Sequence, residues 1–96
     1  MAEIYVTPEL LKGKAKELRG YKSEHDDAIN RIKNLVNGLT GEFKGVAANA
    51  YIEKFNSMEP TFNNFSEMLA ELASNLDFTA DELERKDNEV ASKIGG

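Results

Sequence analysis

His25 is the single histidine in a chain of 96 residues without cysteine. Imidazole exchanges protons near neutrality, so this is where chemistry would be sought first. Lys22 stands close before it, and Asp26 and Asp27 follow directly. General acid–base or nucleophilic catalysis needs a partner group brought to the ring, and no residue stands at a spacing that identifies one. A metal site is not expected either, since one imidazole with no second histidine and no thiolate falls short of the usual ligand sets. No glycine-rich phosphate loop of the known patterns occurs, so no cofactor is implied. Two readings of His25 stay open: a pH-sensitive contact between helices, or a boundary residue that packs its ring and exposes one nitrogen. A non-enzymatic chain that works by binding other protein chains is the expectation.

Charge narrows the partners. Seventeen acidic against 12 basic residues give a formal net charge of -5. That field repels nucleic acid and anionic membrane surfaces. The hydrophobic fraction is 41%, and no run approaches the roughly 18 apolar residues that span a bilayer. No membrane insertion is therefore expected. The opening Met1–Val6 lacks a basic segment followed by an apolar one, so no cleavable signal peptide is expected.

The elements that would position these residues are helices. Only Pro8 and Pro60 interrupt the chain. Thr7-Pro8-Glu9 reads as a helix start: the Thr7 hydroxyl can accept a free backbone N–H, Pro8 suits the first turn, and Glu9 faces the positive end of the helix dipole. Leu11, Ala15, Leu18, Lys22, His25, Ile29, Ile32, Val36 and Leu39 then follow by fours and threes, a heptad seam. Tyr21, Ala28 and Leu35 widen it. Helix 1 is expected over about 8–37. Gly38, Gly41 and Gly45 mark a loop over about 38–45. A second stripe from Ala48 through Tyr51, Phe55, Met58, Phe62, Phe65, Leu69, Leu72, Leu76, Thr79 and Leu83 predicts helix 2 over about 46–85, followed by a tail to 96. Pro60 lies off that stripe, which keeps phase across it, so a kink rather than a break is expected.

The expected fold is all-α: one helical-hairpin domain over 1–96, an antiparallel two-helix hairpin that pairs as a dimer into a four-helix bundle. A hairpin buries one seam, and both helices carry apolar faces wider than one seam. Leu18, Ile29, Ile32, Phe55, Phe62, Phe65 and Leu69 are the residues expected in that core and dimer interface. Gly13 and Gly20, seven apart, could permit close approach in a dimer. Phe43 reads as a plug for the end of the bundle or as a docking knob. Phe78 lies off the stripe as a candidate surface contact. The sequon at Asn64 is centred on the core stripe and is read as chance.

Four segments in this order resemble the WXG family, the ESAT-6-like proteins of about a hundred residues. These are the opening Ile4–Leu11 (IYVTPELL), the mid-chain Phe43-Lys44-Gly45 where the family has Trp-X-Gly, the helix opening Ala47–Phe55 (AANAYIEKF), and Asp87–Ile94 (DNEVASKI). The resemblance covers nearly the whole chain. It implies a hairpin that pairs head-to-tail, with itself or with a related hairpin. It also implies export by the bacterial type VII (ESX-like) system, without a cleaved signal, through contact with the secretion ATPase. The protein would be cytoplasmic before export and secreted after it. The family's export signal pairs the Trp-X-Gly turn with a later Tyr-X-X-X-Asp/Glu. Here Phe43 replaces the tryptophan, and Leu83 with Asp87 aligns with the tyrosine and the acid; Phe78 with Glu82 is a second match. The implied function is a dimeric secreted substrate or virulence-associated effector. The alternative is a cytoplasmic adaptor or chaperone that pairs with the helical region of a larger exported toxin.

Overall fold

A computed structural model describes residues 6–42 and 45–95, the side chains of 42 and 88–95 excepted. Two helices make up the architecture, α1 over Pro8–Glu42 and α2 over Val46–Gly95, and no strand occurs among the described residues. They pack side by side, antiparallel, as a hairpin.

α1 begins as its sequence dictates. The Thr7 hydroxyl accepts the Leu10 N–H at 3.1 Å and the Thr7 carbonyl accepts the Leu11 N–H at 3.1 Å. Its far end departs from expectation. The helix continues through Gly38 and Gly41 to Glu42 rather than stopping near Asn37. Each glycine costs about 1 kcal/mol of helix propensity. Packing offsets this, because Leu39 lies half-buried against α2, and the Thr40 hydroxyl donates to the Asn37 carbonyl at 2.9 Å. The connection thereby shortens. Gly45 holds φ +101°, and its carbonyl accepts the Asn49 N–H at 3.2 Å to open α2.

α2 is also longer than expected. It runs unbroken through Pro60, which stands on an exposed side, and on to Gly95 rather than ending near residue 85. It passes the start of α1 where Glu84 and Asp87 lie beside Thr7, Pro8 and Glu9. The result is a rod of 76 × 24 × 21 Å with a radius of gyration of 21.9 Å. A compact chain of this length would have a radius near 12 Å, by the usual scaling of about 2.2·N^0.38.

The seam between the helices is thin. Its buried apolar residues are Ala15, Ala48, Phe55, Leu69, Ala73 and Ala80, joined by Ser66, and no large side chain is fully buried among the described residues. Two heptad columns of α2 face α1. One is Ala48, Phe55, Phe62, Leu69, Leu76 and Leu83; the other is Ile52, Glu59, Ser66, Ala73 and Ala80. The second column lies one position beside part of the expected apolar stripe, whose Tyr51, Met58, Phe65 and Leu72 turn away from the seam. Small side chains let the two backbones approach, so the column carrying Ser66, Ala73 and Ala80 takes the centre of contact. The bulkier column rotates to one side.

Candidate protein-interaction surface

The hairpin has two unlike sides, and heptad phase decides which residues go to each. On α1 the column Lys12, Arg19, Asp26 and Lys33 borders the seam on one side. Every member reaches across to α2. Lys12 meets Asp81 at 3.5 Å and Glu84 at 3.4 Å, Arg19 meets Asp77 at 2.6 Å, and Lys33 meets Glu59 at 3.3 Å. Asp26 accepts the Ser66 hydroxyl at 2.6 Å and the Lys22 ammonium at 2.9 Å. The Ser66 hydrogen bond, and after it the Lys22 contact, hold the Asp26 carboxyl below the usual carboxylate range. Glu84, and then Asp81, push the Lys12 ammonium up. Exposed pairs of this kind each contribute little to stability. Their collective effect is to fix the register of the two helices and to make this side polar.

The other side of the seam is apolar. α1 presents Tyr21, Ile32 and Leu35 there, 57%, 46% and 68% exposed, with the exposed Ala28 between them. α2 presents Tyr51, Met58, Phe65 and Leu72 at heptad spacing, with Met68 beside them; each is more than two-fifths exposed. An apolar strip of this length along a polar chain is a candidate interaction site. Of the residues expected in the core and dimer interface, Phe55 and Leu69 are buried in the seam, and Leu18, Ile29 and Phe62 are half-buried along it. Ile32 and Phe65 lie on the open strip. The Phe55 and Phe62 rings are 5.7 Å apart, tilted by 44°.

His25 sits where the two sides meet. Its ring lies 5.0 Å from that of Phe65, tilted by 57°, and Nε2 is 3.2 Å from the Phe62 carbonyl oxygen. A carbonyl can only accept, so Nε2 carries the proton. Beside it opens a shallow notch of about 340 Å³ lined by Asp26, Asn30, Asn63 and Ser66 over Ile29 and Phe62. Among the described residues, no group of three or more His, Asp or Glu is placed to hold a metal ion. No helix there is long and apolar enough to cross a membrane.

The residues singled out for the turn and the export signal are separated by the fold. Phe43 and Lys44 lie outside the described residues. Gly45 closes the turn, and Leu83 and Asp87 lie towards the opposite end. Leu83 is half-buried in the seam column and Asp87 is exposed. Phe78 is 66% exposed on the side of α2 away from α1, and Glu82 pairs with Arg85 at 3.1 Å. Gly13 and Gly20 face open space, where an added Cβ would meet nothing within 4 Å. The seam column Ser66, Ala73 and Ala80 was missed from sequence. Its signal was the recurrence of small residues every seventh position, one step beside the larger apolar stripe.

An uncharacterised protein of Clostridium acetobutylicum is 34% identical over 95 residues, spanning 99% of each chain. The type VII secretion system extracellular protein A of Staphylococcus aureus is 26% identical over 102 residues, spanning 99% of this chain and 98% of that one. Among solved structures, EsxA of Geobacillus thermodenitrificans superposes with a TM-score of 0.83 at 27% identity, covering 95% of this chain and 98% of that one. The WXG100 family profile, "Proteins of 100 residues with WXG", matches residues 3–88. The chain thus belongs to the WXG100 family of ESAT-6-like proteins, non-enzymatic helical hairpins.

Proposed function

We propose that this chain is a substrate of a bacterial type VII secretion system and travels as a dimer of hairpins. The observation that carries the reading is end-to-end likeness to a protein whose name places it outside the cell by that route. The open apolar strip supports pairing with a second hairpin, since a seam whose buried apolar side chains are four alanines, Phe55 and Leu69 buries too little apolar surface to be complete alone. Export proceeds without a cleaved signal and begins in the cytoplasm. The turn residues Phe43, Lys44 and Gly45 of one protomer and Leu83 with Asp87 of the other form the surface offered to the secretion ATPase. After export the protein acts on host or competitor cells as a virulence-associated effector.

The test is export in the native host. Culture supernatants of the parent strain and of a strain lacking the secretion ATPase are compared, with a cytoplasmic marker to detect lysis. Intact protein outside the parent alone is the expected result. Retention inside both strains overturns it and leaves the adaptor reading, in which the strip pairs with a helical region of a larger exported toxin.

A further inference from the structure

The polar side of the hairpin changes character along its length. On α2 one heptad column runs Asn49, Asn56, Asn63, Ala70, Asp77 and Glu84. Its carboxylates are engaged by α1, Asp77 by Arg19 and Glu84 by Lys12. Its amides are not. On α1, Asn30 and Asn37 are likewise one heptad apart. The contacts of Asp26 with Ser66 and of Lys33 with Glu59 set the register of the helices. That register puts Asn30 level with Asn63, and Asn37 level with Asn56. Asn30 and Asn63 both line the notch beside His25. All four residues are exposed, and among the described residues their side-chain amides hydrogen-bond to nothing.

This arrangement selects a class of ligand. An amide both donates and accepts, as a sugar hydroxyl does. The charges at the same level are paired with one another, Lys33 with Glu59 and Asp26 with Lys22, so the free groups are neutral. Beneath the first amide pair, Ile29 and Phe62 form an apolar floor. A pyranose ring matches such a notch, with C–H groups on its face and hydroxyls round its edge. The second amide pair lies one heptad on, about 10.5 Å along the helices. A β-1,4-linked chain repeats at every second sugar over nearly that distance and there presents the same face again. Three residues of extended polypeptide cover it too, at about 3.4 Å each, but a strand alternates with period two. Its third step therefore turns the opposite edge to the second amide pair.

We propose that Asn30 with Asn63, and Asn37 with Asn56, bind alternate sugars of a neutral β-1,4-linked oligosaccharide laid along the polar side, the first sugar resting on Phe62 and Ile29. The four amides lie away from the apolar strip, so the site stands whether or not a second hairpin covers that strip. It is also independent of the secretion reading.

The test is titration of the full-length ¹⁵N-labelled chain with triacetylchitotriose and with cellotriose. Amide spectra follow it, since asparagine side chains give signals of their own. The signals of the four asparagines are expected to shift with both sugars, and less with maltotriose, whose α-linkages coil the chain. Asn30→Ala combined with Asn63→Ala should weaken trisaccharide binding about tenfold or more, the ordinary loss for two hydrogen bonds. Asn37→Ala combined with Asn56→Ala should reduce it to that of single N-acetylglucosamine. Asn75→Ala, exposed elsewhere on α2, should leave it unchanged. Circular dichroism like the parent's is expected of every variant, because each replaces an exposed side chain. Absence of shifts with either β-linked sugar overturns the proposal, as do shifts confined to Tyr21, Phe65 and the rest of the strip. Equal binding of the monosaccharide and the trisaccharide removes the second level. A neutral Gly-Ser peptide that shifts the four asparagines where the trisaccharides do not assigns the face to polypeptide backbone instead.

Discussion

Gly45 shows how much one residue can carry. It holds φ +101° with open space where a Cβ would sit, so what excludes other residues is backbone conformation and not crowding. Gly45→Ala should lower stability by about 1–2 kcal/mol, the ordinary cost of an L-residue at positive φ. Gly45→Asn should cost less, because asparagine tolerates that region better; thermal denaturation of both variants orders them. Ser66 is the second such residue, buried at 9% exposure with its hydroxyl on Asp26. A depressed carboxyl adds stability that is complete above its unfolded pKa and is lost as pH falls through the folded value. Ser66→Ala should therefore melt several degrees below the parent at neutral pH. The gap should narrow as the pH drops below the ordinary carboxylate range, near pH 4. A gap that stayed constant down to acid would disconnect Ser66 from the Asp26 charge.

At the scale of elements, α1 and α2 are legible as helices from their periodicity, and α1's start from its cap. Their ends were not legible. Gly38 and Gly41 read as stop signals because propensity is local, whereas Leu39 is held by α2, which is distant in sequence. Pro60 is the converse. It has no N–H to donate to the Asn56 carbonyl, yet α2 continues because Phe55, Phe62 and Ser66 on either side are anchored to α1. Pro60 is exposed, so Pro60→Ala restores that hydrogen bond at no packing cost. It should stabilise the chain by up to about 3 kcal/mol, seen as a higher melting temperature. A lower one would show that the proline shapes α2 in a way the seam depends on.

For the whole molecule, the pertinent contrast is between a thin seam, in which Ala15, Ala48, Ala73 and Ala80 join Phe55 and Leu69, and the bulky side chains left outside it. Phe65, 45% exposed, lies on the strip where the proposed second hairpin would sit. Phe65→Asp should reduce the sedimenting mass from dimer to monomer and lower helicity with it, as circular dichroism would record. A variant that remained dimeric with unchanged helicity would remove Phe65 from the interface. Leu69→Asp, in the seam itself, should be more damaging to helicity.

Period and composition by themselves determined that this chain is two helices in a hairpin, carrying more apolar face than a hairpin can cover. Those properties depend on residue type and spacing along one chain. Which of two neighbouring columns faces α1 was decided only in the tertiary structure. The two columns are one residue apart in sequence, about 100° on the wheel, and the closeness of helix approach selects between them. That selection put Ser66, Ala73 and Ala80 inside and Tyr51, Met58, Phe65 and Leu72 outside. It also gathered the ion pairs that cross between the helices onto one side and the apolar strip onto the other, because Lys12, Arg19 and Lys33 find their partners on α2 far along the chain.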